Sequence, residues 1–504
     1  MKKTIKKNLK YFWFIIAGFN VNAQNPVEIP HVKSHVCVAS SSNGGPSLSS
    51  GDNFGRSIAA IGDINNDGIN DVAVGANFDN AGGTDAGALY ICFMNTNGTV
   101  KSSPAPVKIT EGTSGFQPLD NSDHFGSSVV GIGDLNGDGN EDIAVGASNT
   151  DTTISGTPYS DVGSVFILFL NSSGGIVGRK EITRGESGIP ADSLGAGSVF
   201  GCALANLGDI NGDGTNDIAV GAAGYNSTEG SVWILRMKTD GTVKAYKRIR
   251  EGVNCPSFTL DANDLFGTCV AGPGDLNYDG KLDLVVGASG DDDSYSAAGA
   301  FYVMYLDTSG IATSKKKISY PLMSNYYFPN INPVSFGESV NVTDINEDGV
   351  VDLIAGIRTF QTSLGGFYFM VMDSSQNVLQ MKLTAFEYGW NYAGPATGPH
   401  FGASLAPIDL GNTNNKTYVV GANFHNGGAN QQGSFYTMTM DSLKFDYWEG
   451  TLVDGFVKFN SGSGNFTGSL ANSDFFGIDV AAIGDLNNDG NDDLVVGAHG
   501  NDDG

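Results

Sequence analysis

Hydrophobic and polar residues along this chain are arranged in short segments that are typical of β-strands. The most apolar segments are six runs of aliphatic and aromatic residues, which begin at Ala88, Ser164, Ser231, Ala300, Gly366 and Ser434. Each run follows two shorter apolar segments and precedes a more polar one, such as that around Lys108 or Lys247. No part of the chain keeps a sustained helical period, so the pattern predicts units of four antiparallel strands.

Each four-strand unit begins at a Phe-Gly pair, and the pairs recur at regular distances. The seven pairs begin at Phe54, Phe125, Phe200, Phe266, Phe336, Phe401 and Phe476, with 65 to 75 residues between neighbours. A fixed period of this length indicates a repeat fold. Four-stranded units repeated radially describe propeller blades, whereas about 70 residues is long for one coil of a solenoid, which is the alternative. The sequence therefore predicts an all-β fold: a seven-bladed β-propeller of four-stranded antiparallel blades over residues 24–504.

The two ends of the chain predict how this ring closes. Leucine stands six residues before the Phe in five units, at Leu48, Leu119, Leu194, Leu260 and Leu470. Because no unit precedes Leu48, it belongs to a loop that enters the first blade from the last one. Residues 35–38 fall where other units have their fourth strand, so we predict that they form the outer strand of the last blade. The seventh unit stops at Gly504 after its second strand, which predicts an incomplete last blade and a longer natural protein.

A short acidic loop lies between the first and second strands of most units. In the second unit, Asp134, Asn136, Asp138 and Asp142 occupy loop positions 1, 3, 5 and 9, and Gly139 occupies position 6. Ca²⁺ takes about six to eight oxygen ligands, and oxygens at alternate positions around a sharp glycine turn supply them. The predicted Ca²⁺ ligands of the six loops are Asp63, Asn65, Asp67, Asp71, Asp134, Asn136, Asp138, Asp142, Asp209, Asn211, Asp213, Asp217, Asp275, Asn277, Asp279, Asp283, Asp344, Asn346, Asp348, Asp352, Asp485, Asn487, Asp489 and Asp493.

The loop of the sixth unit, which begins at Asp409, differs from the others. It has Gly411, Thr413 and Thr417 at positions 3, 5 and 9, so no cation is expected there. The alternative for all the loops is a simple hairpin turn of Asp, Asn and Gly, although a turn needs no carboxylate at position 9. An EF-hand loop would need an acid at position 12, where the second unit has Val145, and a helix after it.

Residues 1–23 have the features of a secretory signal. Five lysines precede an apolar stretch, YFWFIIAGFNV, that is too short to span a bilayer, and residues 21–23 fit a cleavage site. An N-terminal membrane anchor is the alternative. No later stretch is long and apolar enough to span a membrane, so we predict a secreted or cell-surface protein.

The net charge of the chain narrows the choice of partners. It is −27, from 54 acidic residues and 27 Lys and Arg, and removal of residues 1–23 with their five lysines would make it −32. Such a charge disfavours nucleic acids and anionic membrane surfaces as partners. Much of the acidic excess lies in the six loops, where bound Ca²⁺ would offset part of it.

The histidines and cysteines show no catalytic or metal-binding spacing, and no catalytic residue or organic cofactor is predicted. The six histidines form no HExxH-like pattern, and His124 and His400, which both precede a Phe-Gly pair, are interpreted as loop residues. The five cysteines are interpreted as buried small side chains, with disulfides as the alternative. Cys202 and Cys269 are expected to point to opposite faces of a strand, because their offsets from Phe-Gly differ by one.

The units resemble FG-GAP repeats, which build the N-terminal β-propeller of integrin α subunits. The resemblance is carried by Phe125-Gly126, the loop 134–142 and Val145-Gly146-Ala147, with their counterparts after residue 32. The family's usual Gly-Ala-Pro ending is Gly-Ala followed by Ser, Asn, Ala or His here, and Ala355-Gly356-Ile357 in the fifth unit. The resemblance implies Ca²⁺ in the loops between first and second strands. It also implies partners on the opposite face, built by the second-to-third and fourth-to-first loops.

Two long loops that enter the fifth and sixth blades on that opposite face are rich in aromatic residues. Their candidate partner-binding residues are Tyr326, Tyr327, Phe328, Tyr388, Trp390 and Tyr392. Aromatic side chains stack on sugar rings or anchor protein partners, which predicts an extracellular protein or glycan ligand. The alternative is that they pack on one another and cover the blades.

Three functions stay open at this point. The first is a Ca²⁺-binding, non-catalytic adhesion or ligand-binding module. The alternative is that the propeller belongs to a larger secreted enzyme, a hydrolase or lyase, whose catalytic domain lies beyond residue 504. The third is a purely structural surface protein.

Overall fold

Nearly all regular structure among the described residues of this protein is β-strand. The computed structural model describes residues 11–16, 34–39, 43–49, 51–113, 116, 119–293, 298–319, 333–345, 348–360, 366–375, 377–385, 400–408, 415–424, 433–441, 453–459, 470 and 472–500. In chain order, the strands are β1 (Tyr11–Ile16), β2 (Ser34–Ala39), β3 (Phe54–Ala60), β4 (Val72–Ala76), β5 (Ala88–Cys92), β6 (Val107–Ile109), β7 (Phe125–Gly133), β8 (Asp142–Ala147), β9 (Thr152–Ile154), β10 (Thr157–Tyr159), β11 (Ser164–Leu170), β12 (Ile176–Ile182), β13 (Leu204–Gly208), β14 (Asp217–Ala222), β15 (Ser231–Met237), β16 (Val243–Ile249), β17 (Phe266–Gly274), β18 (Asp283–Ala288), β19 (Ala300–Leu306), β20 (Ala312–Ser319), β21 (Pro333–Thr343), β22 (Asp352–Phe360), β23 (Gly366–Met372), β24 (Val378–Ala385), β25 (Phe401–Ile408), β26 (Asn415–Ala422), β27 (Ser434–Asp441), β28 (Val453–Phe459), β29 (Val480–Gly484) and β30 (Asp493–Val496). A single helical turn, α1 (Tyr225–Thr228), is the one helix among the described residues.

Six four-stranded antiparallel sheets form the blades. Blade 1 comprises β3–β6, and blade 2 comprises β7, β8, β11 and β12. Blades 3, 4, 5 and 6 comprise β13–β16, β17–β20, β21–β24 and β25–β28, respectively. The short hairpin of β9 and β10 lies in the second-to-third loop of blade 2. The structure thus confirms an all-β propeller, but six blades rather than the predicted seven are built from strands within one repeat.

A further four-stranded sheet joins the two ends of the chain. Its order is β2-β1-β30-β29, with β2 at the outer edge. β1 pairs with β2 along its whole length and with β30 from Trp13 to Ile15. The prediction that the last blade lacks its third strand is wrong for this structure, because the apolar residues 11–16 take the position that elsewhere holds the most apolar strand. Removal of residues 1–23 as a secretory signal stays a prediction.

Burial across each blade follows the polarity of its strands. Every residue of the third strands β5, β11, β19 and β23 is buried, whereas the fourth strands β12, β16 and β20 are mostly half-buried or exposed. Burying a large apolar side chain stabilises a fold by about 1.5–3 kcal/mol, so the third strands make the largest apolar contribution. The repeated leucines of the entering loops are buried too, at Leu119, Leu194, Leu260 and Leu470.

Close backbone contact between neighbouring blades explains why Phe-Gly and Val-Gly-Ala recur. Phe125 is buried against Phe116 and Phe166, with ring centroids 4.9 and 5.4 Å away. A Cβ atom on Gly146 would lie 2.1 Å from the carbonyl oxygen of Gly201, the glycine of the next Phe-Gly pair. The same approach to the next blade recurs at Gly75, Gly221, Gly287, Gly356, Gly421 and Gly497. Backbone atoms therefore set the spacing of the blades.

We call the contact between two neighbouring blades a joint. At six joints, a side chain of one blade donates a hydrogen bond to the carbonyl of the glycine in the next Phe-Gly pair. The hydroxyl of Ser128 donates to Gly201 at 2.7 Å. Equivalent donors are Ser57, Cys202, Cys269, Ser339 and Ser404. Cys202 and Cys269 thus both point at the next blade, and the prediction of opposite faces is wrong because residues 200–203 form a turn before β13. Cys92, Cys202, Cys255 and Cys269 are free thiols.

The sheet formed by the chain ends also contacts blade 1 through hydrogen bonds that differ from those of the other joints. The amide of Ile58 donates to the Asp479 carboxylate at 2.9 Å, and Asn70 Nδ2 donates to the carbonyl of Ile483 at 3.0 Å. The amide of Val100 in blade 1 donates to the carbonyl of Asn43 at 3.1 Å, which docks the segment after β2 onto the same blade. These bonds link the last described repeat to the first.

Candidate cation loops and the opposite face

The acidic loops share one hydrogen-bond scheme in six repeats. The position-1 carboxylate accepts a hydrogen bond from the amide of the position-6 glycine, as Asp134 does from Gly139 at 2.7 Å. The same bond forms at Asp63, Asp209, Asp275, Asp344 and Asp485. Gly139 has φ +89°, a conformation that favours glycine. The position-1 side chain therefore folds the loop around itself.

The position-9 carboxylate is buried and ties the loop to the third strand. Asp142 Oδ2 accepts from the amide of Leu135 at 2.9 Å, and Oδ1 accepts from the amide of Leu170 at 3.1 Å. Both bonds recur at Asp71, Asp217, Asp283 and Asp352, and Asp493 makes the first of them. Sequence reasoning missed this structural role. The sequence signal for this role is that the position-9 aspartate directly precedes the apolar second strand, as Asp142 precedes IAVGA.

Burial also raises the pKa of these position-9 aspartates. The pKa reaches about 7 for Asp71, Asp352 and Asp493. It reaches about 6 for Asp142, Asp217 and Asp283. The amide hydrogen bonds lower the pKa, but burial outweighs them, and nearby loop aspartates raise it further. A cation beside these carboxylates would favour their charged form.

The side-chain donors of these loops are the oxygen atoms that a hard cation such as Ca²⁺ prefers. Both side-chain polar atoms of Asn65 and the Oδ1 atom of Asp344 are buried without a hydrogen-bond partner. An unpaired buried oxygen costs about 1–3 kcal/mol, and a bound Ca²⁺ would satisfy it. No group of three or more His, Cys, Asp or Glu side chains suited to a metal ion is present in the described part of the chain. The geometry agrees with this, because the position-9 carboxylates point at amides and position 3 is asparagine.

Two predicted features of the loops fall partly outside the described residues. Asn346, at position 3 of the fifth loop, is one of them. Residues 409–414, most of the sixth loop, are also outside, whereas Thr417 at its position 9 is buried. The expected absence of a cation from the sixth loop stays a prediction.

The loops of blades 4 and 5 touch each other. Tyr278, at position 4 of its loop, donates a hydrogen bond from its hydroxyl to the carbonyl of Gly349 in the next loop. Tyr278 has φ +59°, where the equivalent residues are Asn66, Gly137, Gly212 and Asn488. A bulky residue in this conformation is strained, so the contact between loops is built at some cost.

Aromatic and histidine side chains cluster at the opposite ends of the same strands. The rings of His400, Phe424, Phe475 and His499 form a row with centroid separations of 4.1, 5.0 and 5.1 Å. Phe78 and His124 form a similar pair at 4.8 Å. His124 and His400 are thus loop residues, as predicted, but each packs on an aromatic ring.

The residue before each Phe-Gly pair, at this same end, has a positive φ in all seven repeats. These residues are Asn53, His124, Val199, Leu265, Ser335, His400 and Phe475. For Val, Leu and Phe this conformation is uncommon and strained. The turn therefore imposes the conformation regardless of residue type, which no propensity in the sequence could indicate.

The aromatic residues predicted to bind a partner lie outside the described residues. They are Tyr326, Tyr327, Phe328, Tyr388, Trp390 and Tyr392. Asp291, in a neighbouring loop of this face, is buried, accepts a hydrogen bond from Tyr302 at 2.8 Å and pairs with Lys317 at 2.5 Å. That carboxylate stabilises the blade rather than the surface.

Replacing Asp123 with asparagine is expected to stabilise the protein above pH 7. Burial raises the pKa of Asp123 from 3.8 to about 7, although its carboxylate accepts a hydrogen bond from the Asp120 amide at 2.7 Å. Because the folded state holds this proton more tightly, its contribution to stability falls as pH rises from about 4 to 7 and stays low above that. Asn keeps the acceptor without the charge, so the gain at pH 8 is up to about 4 kcal/mol.

Urea unfolding of both proteins from pH 5 to 8 measures this effect. Asp264→Asn is the matched control, since the pKa of Asp264 is raised only to about 6 and its gain should be smaller. Equal stability of Asp123→Asn and the parent at pH 8 would contradict the argument.

Four-stranded repeats with an acidic loop between the first and second strands place this protein among the β-propellers, and comparison with known proteins agrees. The FG-GAP repeat family model matches residues 54–92, 125–168 and 200–235. Integrin alpha-PS5 of Drosophila melanogaster is 35% identical over 203 residues, which cover 39% of this chain and 18% of that protein. Integrin alpha-5 of Xenopus laevis is 43% identical over 101 residues, 20% of this chain and 9% of that protein. This chain therefore contains FG-GAP repeats and forms an integrin-alpha-like β-propeller.

The matches span less than a fifth of the length of these curated relatives. A solved structure described as the Dos1 propeller is 13% identical, with a TM-score of 0.40, and the match covers 90% of this chain and 94% of that one. That score is too low to add to the fold argument, which rests on the sheet order. Within the described ranges, no helix has the length and hydropathy needed to cross a membrane.

Proposed function

We propose that this protein is a secreted or cell-surface Ca²⁺-binding β-propeller that acts as a non-catalytic adhesion or ligand-binding module. The observation that carries the proposal is the shared hydrogen-bond scheme of six loops, in which the position-1 carboxylate orders the turn and the position-9 carboxylate fixes it to the blade, so that several oxygen ligands are gathered in one short loop. Integrin alpha relatives support the adhesion role, because integrins bind extracellular ligands. We also propose that β2 closes the propeller as the outer strand of the sheet that the two chain ends share.

In such a loop, Ca²⁺ would supply the positive charge that several adjacent carboxylates need. The chain's own residues do the rest. The position-1 aspartate orders the turn, the position-9 aspartate fixes the loop to the third strand, and the backbone at position 7 adds a carbonyl. This arrangement stiffens the face of the propeller that carries the loops and leaves the opposite face to vary.

The partner surface is proposed on that opposite face. The row of His400, Phe424, Phe475 and His499, between blade 6 and the sheet of the chain ends, supports this proposal because it brings aromatic rings together. The sequence predicts that the aromatic loops with Tyr327 and Trp390, which lie outside the described residues, are on the same face. Aromatic side chains that are partly exposed bind sugar rings and protein partners well.

Binding to a glycan or matrix-protein array by the wild type and by a Tyr327→Ala/Trp390→Ala variant tests this surface. The wild type is expected to bind at least one array member, and the variant to lose at least about tenfold in affinity, as for a hot-spot pair. A folded variant that binds as well as the wild type would show that these residues are not the site. A matched Tyr278→Ala variant, on the cation face, should keep full binding.

A further inference from the structure

We propose that the cation loops fall into two affinity classes, and that a lysine just after the turn that follows the third strand weakens Ca²⁺ binding in blades 1 and 3. The inference deepens the proposed function and rests on it, since it concerns the same loops. In this inference, Lys101 and Lys244, which lie outside the loops, lower the affinity of the loops for Ca²⁺.

Both lysines contact the position-5 carboxylate of their own blade. Lys101 Nζ contacts Asp67 Oδ2, and Lys244 Nζ lies 2.7 Å from Asp213 Oδ2. The side chain of Lys101 is 15% exposed and that of Lys244 is 51% exposed. The first pair is therefore screened less by water, and the larger effect is expected in blade 1.

The two lysines occupy the same structural position. Each directly follows the residue that pairs with the end of the third strand: Val100 lies opposite Met94, and Val243 opposite Met237. In blade 2 the residue opposite Leu170 is Ile176, so Val177 takes the place of the lysine. The chain thus contains a natural comparison between charged and apolar residues at one site.

Blade 2 shows the loop without the ammonium group. Val177 is 59% exposed, and Asp138 accepts hydrogen bonds from Asn136 and Asn140 instead of a lysine. Within the described ranges no cationic side chain pairs with Asp138. A cation that binds Asp138 therefore has no positively charged side chain to displace.

The chemistry sets the direction of the effect. A position-5 carboxylate that holds an ammonium group must give it up or share it before it can bind Ca²⁺, and the two like charges repel at short distance. Lysine is a flexible point charge that can swing away, so it should weaken the site rather than abolish it. In blade 4, Lys281 pairs with Asp279 at 3.0 Å with both side chains over a third exposed, so water screens that pair more than the Lys101 pair and a smaller effect than in blade 1 is expected there.

Hydrogen-exchange mass spectrometry of the full chain across a series of free Ca²⁺ concentrations resolves the loops individually. Peptides over residues 63–71, 134–142 and 209–217 report loops 1, 2 and 3. In the wild type, loop 2 should become protected at about tenfold lower Ca²⁺ than loop 1, with loop 3 between them. Lys101→Val should move the midpoint of loop 1 to that of loop 2 and leave loop 3 unchanged.

Two further variants keep the test independent of one substitution. Lys101→Arg retains the charge and should keep loop 1 weak, and Val177→Lys should weaken loop 2 by about tenfold. Protection of all three loops at one midpoint, unchanged by these variants, would overturn the two-class inference while leaving calcium binding intact. Absence of calcium-dependent protection in every loop would overturn the proposed calcium binding and the inference together.

Discussion

Chelating calcium is expected to lower the melting temperature of this protein by several degrees or more. Extracellular sites of this kind commonly have Kd values of about 10⁻⁴–10⁻³ M, which at about 1 mM Ca²⁺ gives roughly 0.4–1.4 kcal/mol per site. Six loops together then contribute about 2–8 kcal/mol, comparable with the whole stability of many domains, about 5–15 kcal/mol. Calorimetry in Ca²⁺ and in chelator measures the shift.

The physical reason is the crowding of carboxylates in each loop. Without a cation, the position-1 and position-5 carboxylates lie close together in one short turn, and the buried position-9 aspartate, such as Asp71 with a pKa of about 7, is costly to ionise. A variant with Asp134→Asn and Asp138→Asn should lose only the share of one loop and serves as the matched control. Identical melting with and without Ca²⁺ would sink the proposal of structural cations.

The second large effect is expected from Gly146→Ala, which should destabilise the fold by at least about 4 kcal/mol or prevent folding. The added Cβ atom would lie 2.1 Å from the Gly201 carbonyl oxygen, closer than any real contact allows. Both groups belong to buried backbone, so the two blades would have to move apart. Chemical denaturation of the purified variant, or its absence from the soluble fraction, measures the loss.

Gly212→Asn is the matched control for this prediction. Gly212 has φ +76°, a Cβ atom added to it would have nothing within 4 Å, and Asn66 and Asn488 occupy the same loop position in other blades. This variant should lose less than about 1 kcal/mol. A Gly146→Ala protein as stable as the control would show that blade spacing does not depend on the glycine contact.

Much of the fold could be predicted because the repeats constrain one another. The apolar run that starts at Ser164 becomes β11 and the polar segment near Lys247 becomes β16, since strand burial depends directly on local polarity. The acidic loops are predicted between the first and second strands because each polar loop is flanked by two short apolar segments. The family resemblance rests on these residues and is confirmed by the FG-GAP match.

What could not be predicted depends on contacts between distant parts of the chain. Residues 11–16 complete a sheet with residues 493–496, a pairing that no local pattern indicates. Asp142 accepts hydrogen bonds from the backbone amides of Leu135 and Leu170, a role that its position in a predicted set of Ca²⁺ ligands does not indicate. Cys202 faces the next blade because a turn, not a strand, precedes β13.

The joints between blades, in which a glycine carbonyl meets a glycine of the neighbouring repeat, are alike around the ring. Because backbone atoms make the contact, a joint carries no information about which blade follows, and copies of the unit can be gained by duplication without inventing a new interface. The loops at either end of a blade are then free to diverge one at a time. The sixth repeat is an example. It keeps the Gly421 joint, but its first-to-second loop has Gly411 and Thr413 at predicted ligand positions, so its loop sequence has changed while the contact between blades is retained.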